Sequence, residues 1–424
     1  MPTIDYTIIG TSGLKEYGGY VDEEFNPKLK GTKAIKVYTE MSENDAVVGA
    51  ILFCIEMLCR QVKWEMSADE DDKPGQEASQ FVTECMDDMS HTWESTISEV
   101  LTMLKFGWSY FELVYKVRQG DSEDPRRRSK YTDGKYGWRK IALRSQDSLL
   151  KWVFQDDGGI AGMWQQPVSG PTVFIPIEKA LLFRTKENKN NPEGKSILRN
   201  AYRSWYFLKR LQEIEAIGFE RNLTGLPKMQ VPLNLLISDA TDSDKSLLNS
   251  FKDMLRDIRK DERGYIIVPP EQNEDGQPSG YKFELIASPG NQGSGDIDKA
   301  ITRYEQRIAM SVLAEFILLG LDKVGSFSLV SSKTNLFATA LTAWLDSIAA
   351  VFNMFAIPRL LKVNGYKLEK NPVLKHGSVQ DVSLDELGNF FRNTGLGISL
   401  SDMEMENYLR GKINAPLKKE ETIL

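Results

Sequence analysis

The chain has 424 residues, with 53 Lys+Arg against 60 Asp+Glu, two His and a formal net charge of −7. Hydrophobic residues make up 41% and charged residues 27%, which excludes a disordered or collagen-like chain, and the length predicts two or three domains. The acidic balance argues against gripping nucleic acid over the whole surface, because counterion release needs an excess of Lys and Arg. It leaves open local contact, or passage.

Cys54, Cys59 and Cys85 are too few for a disulfide framework and fit a reducing compartment. The first thirty residues lack the charged start and apolar block of a signal peptide. No uninterrupted run of 18 apolar residues occurs, so no transmembrane helix is predicted and the expected setting is a cytosol or an assembly made there.

Residues 1 to about 40 are Gly-rich and polar and predict an extended arm. A helix is predicted over 45–60, with Val47, Ile51, Cys54, Ile55 and Leu58 on one stripe, then an acidic loop over 67–76. Helices follow near 77–88 and 93–106, the second capped by Thr92. Gly107 breaks that helix, and from Tyr110 to Val117 the alternation is that of a strand. Further strands are expected over 138–143, 150–154, 162–166, 173–175 and 180–185, with a charged hairpin tip over 120–137 that contains Arg126, Arg127 and Arg128. Those arginines suit nucleic acid or a solvated loop, and the loop is the better reading.

From Ser196 to Asn222 the period is helical, ended by Gly225 and Pro227. A compact mixed unit follows: a strand over 228–232, a helix over 244–260 capped by Ser243, and strands over 264–268 and 281–286. A long helix is predicted over Asp296–Leu319, a small polar loop over 320–333, and a second long helix over Thr334–Ala356 limited by Pro358. Two short helices over 385–394 and 401–410 close the chain. On the long helices Tyr202, Trp205, Tyr206 and Tyr304 are candidates for packing against a neighbouring copy, with packing inside the monomer as the plainer alternative.

Little of the chain suggests catalysis. Gly194-Lys195-Ser196 opens a helix, but a P-loop needs G-x-x-x-x-G-K-[ST], and Lys189 stands where the first glycine should be. The plainer reading is a Pro192-Glu193-Gly194 turn with Ser196 as cap. His91 and His376 have no Cys, Asp or Glu at a ligand spacing. Asp296 and Asp298 at a helix start offset the macrodipole. No cofactor or metal is expected, and the chain does not read as an enzyme. The rival from another class is a P-loop-like nucleotidase or motor component built on Gly194–Ser196.

The ordered segments resemble bacteriophage portal proteins, most closely the Mu-type branch. Phe106–Lys116 (FGWSYFELVYK) and Gly137–Ile160 are similar to that family's helix-to-strand segment and following strand pair. The strongest match is Asn191–Met229, with Gly194, Leu198, Arg199, Trp205, Lys209, Glu220, Gly225 and Pro227 at the family's pattern positions. The helix–loop–helix of 296–355 matches in position and character. The turn departs from the branch, reading Thr-Gly-Leu-Pro.

The resemblance implies an α+β portal fold: an N-terminal arm over 1–40, an α/β wing over 41–195, a first stem helix over 196–225 and a clip over 226–292. A second stem helix over 293–320, a tunnel loop over 321–333, a wing helix over 334–378 and a helical crown over 379–424 complete it. It further implies a homo-oligomeric ring, typically of twelve subunits, at one capsid vertex, through which double-stranded DNA passes during packaging and ejection. Partners are the large terminase, major capsid and scaffolding proteins and a tail adaptor, with no membrane; the setting is the virion, and the host cytoplasm during assembly. The tunnel loop would present Asp322, Lys323, Val324, Gly325, Ser326, Phe327, Ser328 and Lys333 to DNA. Twelve copies would carry about −84, which repels phosphate and lets a polyanion slide.

Overall fold

The computed structural model describes residues 18–187, 189–224, 226–237, 240–257, 266–269, 281–286, 292–314 and 327–379. In chain order come α1 (Gly31–Asn44), α2 (Ala46–Arg60), β1 (Trp64–Ser67), α3 (Lys73–Asp87), α4 (Trp93–Val100) and α5 (Thr102–Phe106). The strands β2 (Trp108–Val117), β3 (Tyr136–Arg144), β4 (Leu149–Phe154), β5 (Ile160–Gln165), β6 (Val173–Pro176) and β7 (Ala180–Arg184) follow. Next are α6 (Tyr202–Thr224), β8 (Leu226–Gln230), α7 (Asp242–Asp257), β9 (Ile266–Val268) and β10 (Lys282–Ile286). The last are α8 (Gln292–Ser311), α9 (Phe327–Val351), α10 (Ile357–Val363) and β11 (Val373–His376). The chain divides into two compact units.

The first unit comprises Met1–Phe53, Met103–Trp108 and Arg184–Lys333. Here α6 and α8 lie side by side, and between them in sequence sits the small mixed insert. Its sheet runs β10-β8-β9, with β8 antiparallel to β10 from Leu226↔Ile286 to Gln230↔Lys282 and parallel to β9. Met229, Val231, Leu235 and Leu255 are its buried centre, joined by Leu248, Phe251 and Ile267. The cap of α7 is Thr241, whose Oγ1 accepts from the Asp244 N–H, not the expected Ser243.

Four boundaries in this unit differ from expectation. The arm is helical from Gly31, and a 3-10 turn at Pro27–Leu29 precedes it, capped by the Asn26 side chain. A 3-10 turn at Ile197–Arg199 separates Ser196 from α6, which starts only at Tyr202. The helix expected to reach Leu319 stops at Ser311: Leu313 is left-handed (φ 60) and the Ala314 N–H reaches back to Ala309 O, a wrapped C-terminus that closes the helix. The helix expected from Thr334 already begins at Phe327.

The second unit comprises Cys54–Thr102, Ser109–Phe183 and Thr334–Leu424. It holds the sheets β3-β2-β7 and β4-β5-β6 and the pair β1–β11. In β2 the residues Ser109, Tyr110 and Phe111 are all buried, because the strand is central and covered on both faces. Phe111, Phe183, Phe352, Trp93 and Trp64 form a run of ring contacts 4.9–6.0 Å apart. Phe337, Leu341, Leu345 and Ile348 along α9, and Phe352 directly after it, are essentially inaccessible. By length and hydropathy the helix over Thr334–Val363 could cross a membrane, but this buried stripe makes it the core helix of its unit. Pro358 does not stop it: a π-turn at Phe352–Ala356 takes up the offset, and the proline sits in the first turn of α10, where a missing N–H costs nothing. The helices expected over 385–394 and 401–410 lie outside the described residues.

Candidate functional site

The α6–α8 pair is where four of the expected interface residues come together. Tyr202 and Trp205 are 9% and 6% exposed, buried by the chain itself. That leaves little of either ring for a neighbouring copy and matches the plainer alternative, packing inside the monomer. Tyr206 and Tyr304 are partly exposed. Phe207 bridges them, edge-on to Tyr206 at 5.7 Å and stacked on Tyr304 at 6.1 Å. The face of α6 left open is instead Arg203, Phe207, Arg210, Ile214 and Ile217, with the three apolar side chains 40–55% exposed. Their alternating spacing of four and three is that of a helix seam. It is readable in the sequence once Tyr202 and Trp205 are assigned inward.

A cationic cluster surrounds these rings. Arg203 lies over Phe207 at 6.0 Å, Arg210 and Lys28 over Tyr206 at 5.4 and 5.0 Å, and Arg303 and Arg307 over Tyr304 at 5.7 and 5.8 Å. All five cations are exposed, and none pairs with a carboxylate among the described residues. A guanidinium laid over a ring face is oriented without being neutralised.

The segment before α1 is clamped to the base of α6. Glu24 takes a two-pronged ion pair from Arg199 at 2.5 and 2.7 Å, and Glu23 accepts from Asn191 Nδ2 at 3.1 Å. Burial raises the Glu24 pKa, but the Arg199 hydrogen bonds and charge more than offset it, so the net shift is downward. Arg199 shifts up through the same hydrogen bond. Between this segment and the 186–200 turn lies a cavity of about 580 Å³ lined by Glu24, Lys30, Tyr38, Lys195 and Arg199 among others. Burial pushes the Tyr38 phenol up to about 12.

The same turn settles Gly194-Lys195-Ser196. Gly194 has φ +59 and Gly107 φ +98, and each backbone passes so close that a Cβ on Gly107 would sit 2.5 Å from Glu193 O and one on Gly194 would run into Gly107 O. The Lys195 N–H donates to Thr185 Oγ1, and the Ser196 hydroxyl donates to Lys105 O at 2.6 Å while accepting from the Leu198 N–H. A phosphate loop must keep such donors free for its ligand. Here they are spent holding the chain together.

Asp322, Lys323, Val324, Gly325 and Ser326 lie outside the described residues. Phe327, Ser328 and Lys333, expected in a loop, have helical backbone within the first turns of α9. Arg126 and Arg127 pair with Asp124, and Arg128 with Asp121, so the hairpin tip neutralises itself. Burial pushes Cys59 up to about 12 and Cys85 to about 11, where neither is a nucleophile at neutral pH. Among the described residues no three His, Cys, Asp or Glu gather as metal ligands.

Residues 35–391 match the family described as the portal protein of Mu bacteriophage. The chain belongs to this portal protein family. No curated protein matches it. Among solved structures it is similar to a chain in the neck of an empty gene transfer agent (GTA) particle computed with C6 symmetry, at 11% identity and TM-score 0.53, covering 90% of this chain and 94% of that one. A chain in the neck of the native GTA particle computed with C12 symmetry gives the same figures. A HK97 family phage portal protein from Corynebacterium diphtheriae follows at 13% identity and TM-score 0.42, covering 80% and 94%. At these identities the GTA likeness concerns the fold. The family match makes the chain a portal protein, and the likeness gives it a fold of mixed helix and sheet.

Proposed function

We propose that this portal chain assembles into a ring, of twelve copies in the virion, at one vertex of the capsid, and that double-stranded DNA passes through it on packaging and ejection. The observation that carries the reading is the family match over 35–391, which spans the α6–α8 pair and the insert between them. The GTA necks computed with C6 and C12 symmetry support a closed ring. In this reading α6 and α8 are the stem, and the open α6 face of Phe207, Ile214 and Ile217 is contact surface between copies, since a conduit leaves no reason for exposed isoleucines on its own stem. The insert 226–292 is the clip, which receives the large terminase and later the tail adaptor. The wing meets major capsid and scaffolding proteins, 379–424 forms the crown, and Asp322–Ser328 with Lys333 face DNA. The role is structural, with the energy of packaging supplied by the terminase, and assembly takes place in the host cytoplasm.

Negative-stain imaging of the purified protein tests the reading directly. Rings with a central hole are expected, and uniform monomers at micromolar concentration would overturn it. Replacing Val324–Phe327 with Gly and Ser is expected to leave the rings intact and to impair DNA packaging or retention; loss of the rings would assign that segment to assembly.

A further inference from the structure

The helix α8 carries, on different sides, two charge groups that have no salt-bridge partner among the described residues. Asp298 and Glu305 are seven residues apart and share one side, and Arg303 and Arg307 are four apart and share another. At 3.6 residues per turn the two pairs point about 140–180° apart around the helix axis. Arg303 and Arg307 project outward over Tyr304 with no carboxylate beside them among the described residues. Glu305 is half-buried, and its near charges are the carboxylates of Asp45 and Asp298 rather than a cation. Asp45 is itself half-buried at the α1–α2 junction, spending one oxygen on the Val48 N–H. Burial and these two neighbours push the Glu305 pKa up.

We propose that Arg303 and Arg307 of one copy seat against the Asp298 and Glu305 carboxylates of the next copy around the ring. This rests on the ring reading above. A head-to-tail contact uses two different patches of one surface, each complementary to the other, and it repeats until the ring closes. The chain carries such a pair: cations oriented on aromatic rings on one side of α8, and on another side two carboxylates with no salt-bridge partner among the described residues. DNA phosphates would account for the arginines and leave the carboxylates unexplained, whereas a second copy accounts for both. The exposed α6 seam supplies the apolar area beside the charges, and the charges select register and partner.

Charge reversal tests the pairing. Three full-length variants are needed: Arg303→Glu with Arg307→Glu, Asp298→Arg with Glu305→Arg, and all four together. Mass photometry at low salt reads the ring fraction, and thermal melting of each variant shows that it folds. Each reversal alone should lower the ring fraction about tenfold or more, and the combined chain should recover most of it. Should the carboxylate reversal melt early, Asp298→Arg alone, at an exposed position, takes its place and should still lower the ring fraction. Wild-type rings that persist unchanged in the arginine reversal overturn the pairing while leaving the ring reading in place, and loss of DNA retention in those rings would assign the arginines to phosphate. Rings lost in both reversals and not regained in the combination also overturn it. A wild-type chain that forms no rings defeats the ring reading itself, and the pairing with it.

Discussion

The most informative single change lies in the second unit, at Asp88→Asn. Asp88 and Lys116 are an ion pair at 2.9 Å with side chains 3% and 6% exposed. The carboxylate also accepts from Ser129 Oγ at 2.6 Å and the Lys130 N–H at 2.8 Å, and the ammonium donates to the Asp88 and Arg128 carbonyls. Three acceptors thus meet the three ammonium protons, and the charged tip of the β2–β3 hairpin is tied to the end of α3. Breaking a buried pair by removing one partner costs about 3–5 kcal/mol, because the other charge stays buried and uncompensated. An asparagine retains one acceptor, which places the expected loss near the lower end, about 3 kcal/mol. Urea unfolding followed by tryptophan fluorescence reads it, with Lys116→Met added to Asp88→Asn as the partner variant. Removing the orphaned ammonium should return about 1–3 kcal/mol of that loss. The acid limb gives a second reading. Burial raises the Asp88 pKa, but Ser129, Lys130 and Lys116 more than offset this and hold it below its ordinary value. The native carboxyl therefore binds its proton less readily than the unfolded one. Its contribution is whole above the unfolded value of about 3.9 and vanishes as pH falls through the native one. Asp88→Asn should flatten that part of the stability curve. A loss under about 1 kcal/mol with an unchanged acid limb would refute the view of a desolvated pair.

Other consequences can be checked as simply. Gly194→Ala should destabilise by about 1–3 kcal/mol or more, since it combines a left-handed backbone with a clash on Gly107 O, while Lys195→Ala should be near neutral in a thermal melt and in an ATPase assay. Glu24→Gln should release the segment before α1, seen as faster limited proteolysis between residues 18 and 30 with the Tm lowered only slightly. Ile214→Asp combined with Ile217→Asp should abolish rings in negative stain without lowering the melting temperature of the monomer, because both side chains are open in the single chain.

The elements that local rules govern were legible. The Thr92 cap, the break at Gly107 and the strand after it stand where alternation and capping place them, and the Ser196 hydroxyl caps a 3-10 turn before α6 rather than α6 itself. What failed was decided by tertiary packing. Pro358 reads as a stop, yet a π-turn absorbs it, because the stripe of α9 is too deeply buried to end there. The wrapped end of α8 at Leu313 carries no glycine, so no residue announced it. On α6 the three-and-four spacing joins Tyr202 and Trp205 to Ile214 and Ile217, yet only the first two turn inward, and Phe207, Ile214 and Ile217 remain outside. The arginine cluster escaped notice because its members come from two helices some hundred residues apart. Lys116 was legible as a strand residue but not as a buried charge, since its partner lies 28 positions earlier.

The insert between α6 and α8 is entered through β8 and left through β10, and those two strands are paired over five residues right where the chain comes and goes. Its neck is zipped shut by its own ladder, and the end-to-end distance that the two long helices must span is set there, whatever happens further out. The insert can therefore be lengthened, shortened or exchanged between related chains with little disturbance to the helices that carry it. Such a chain can change what it docks without relearning how to assemble.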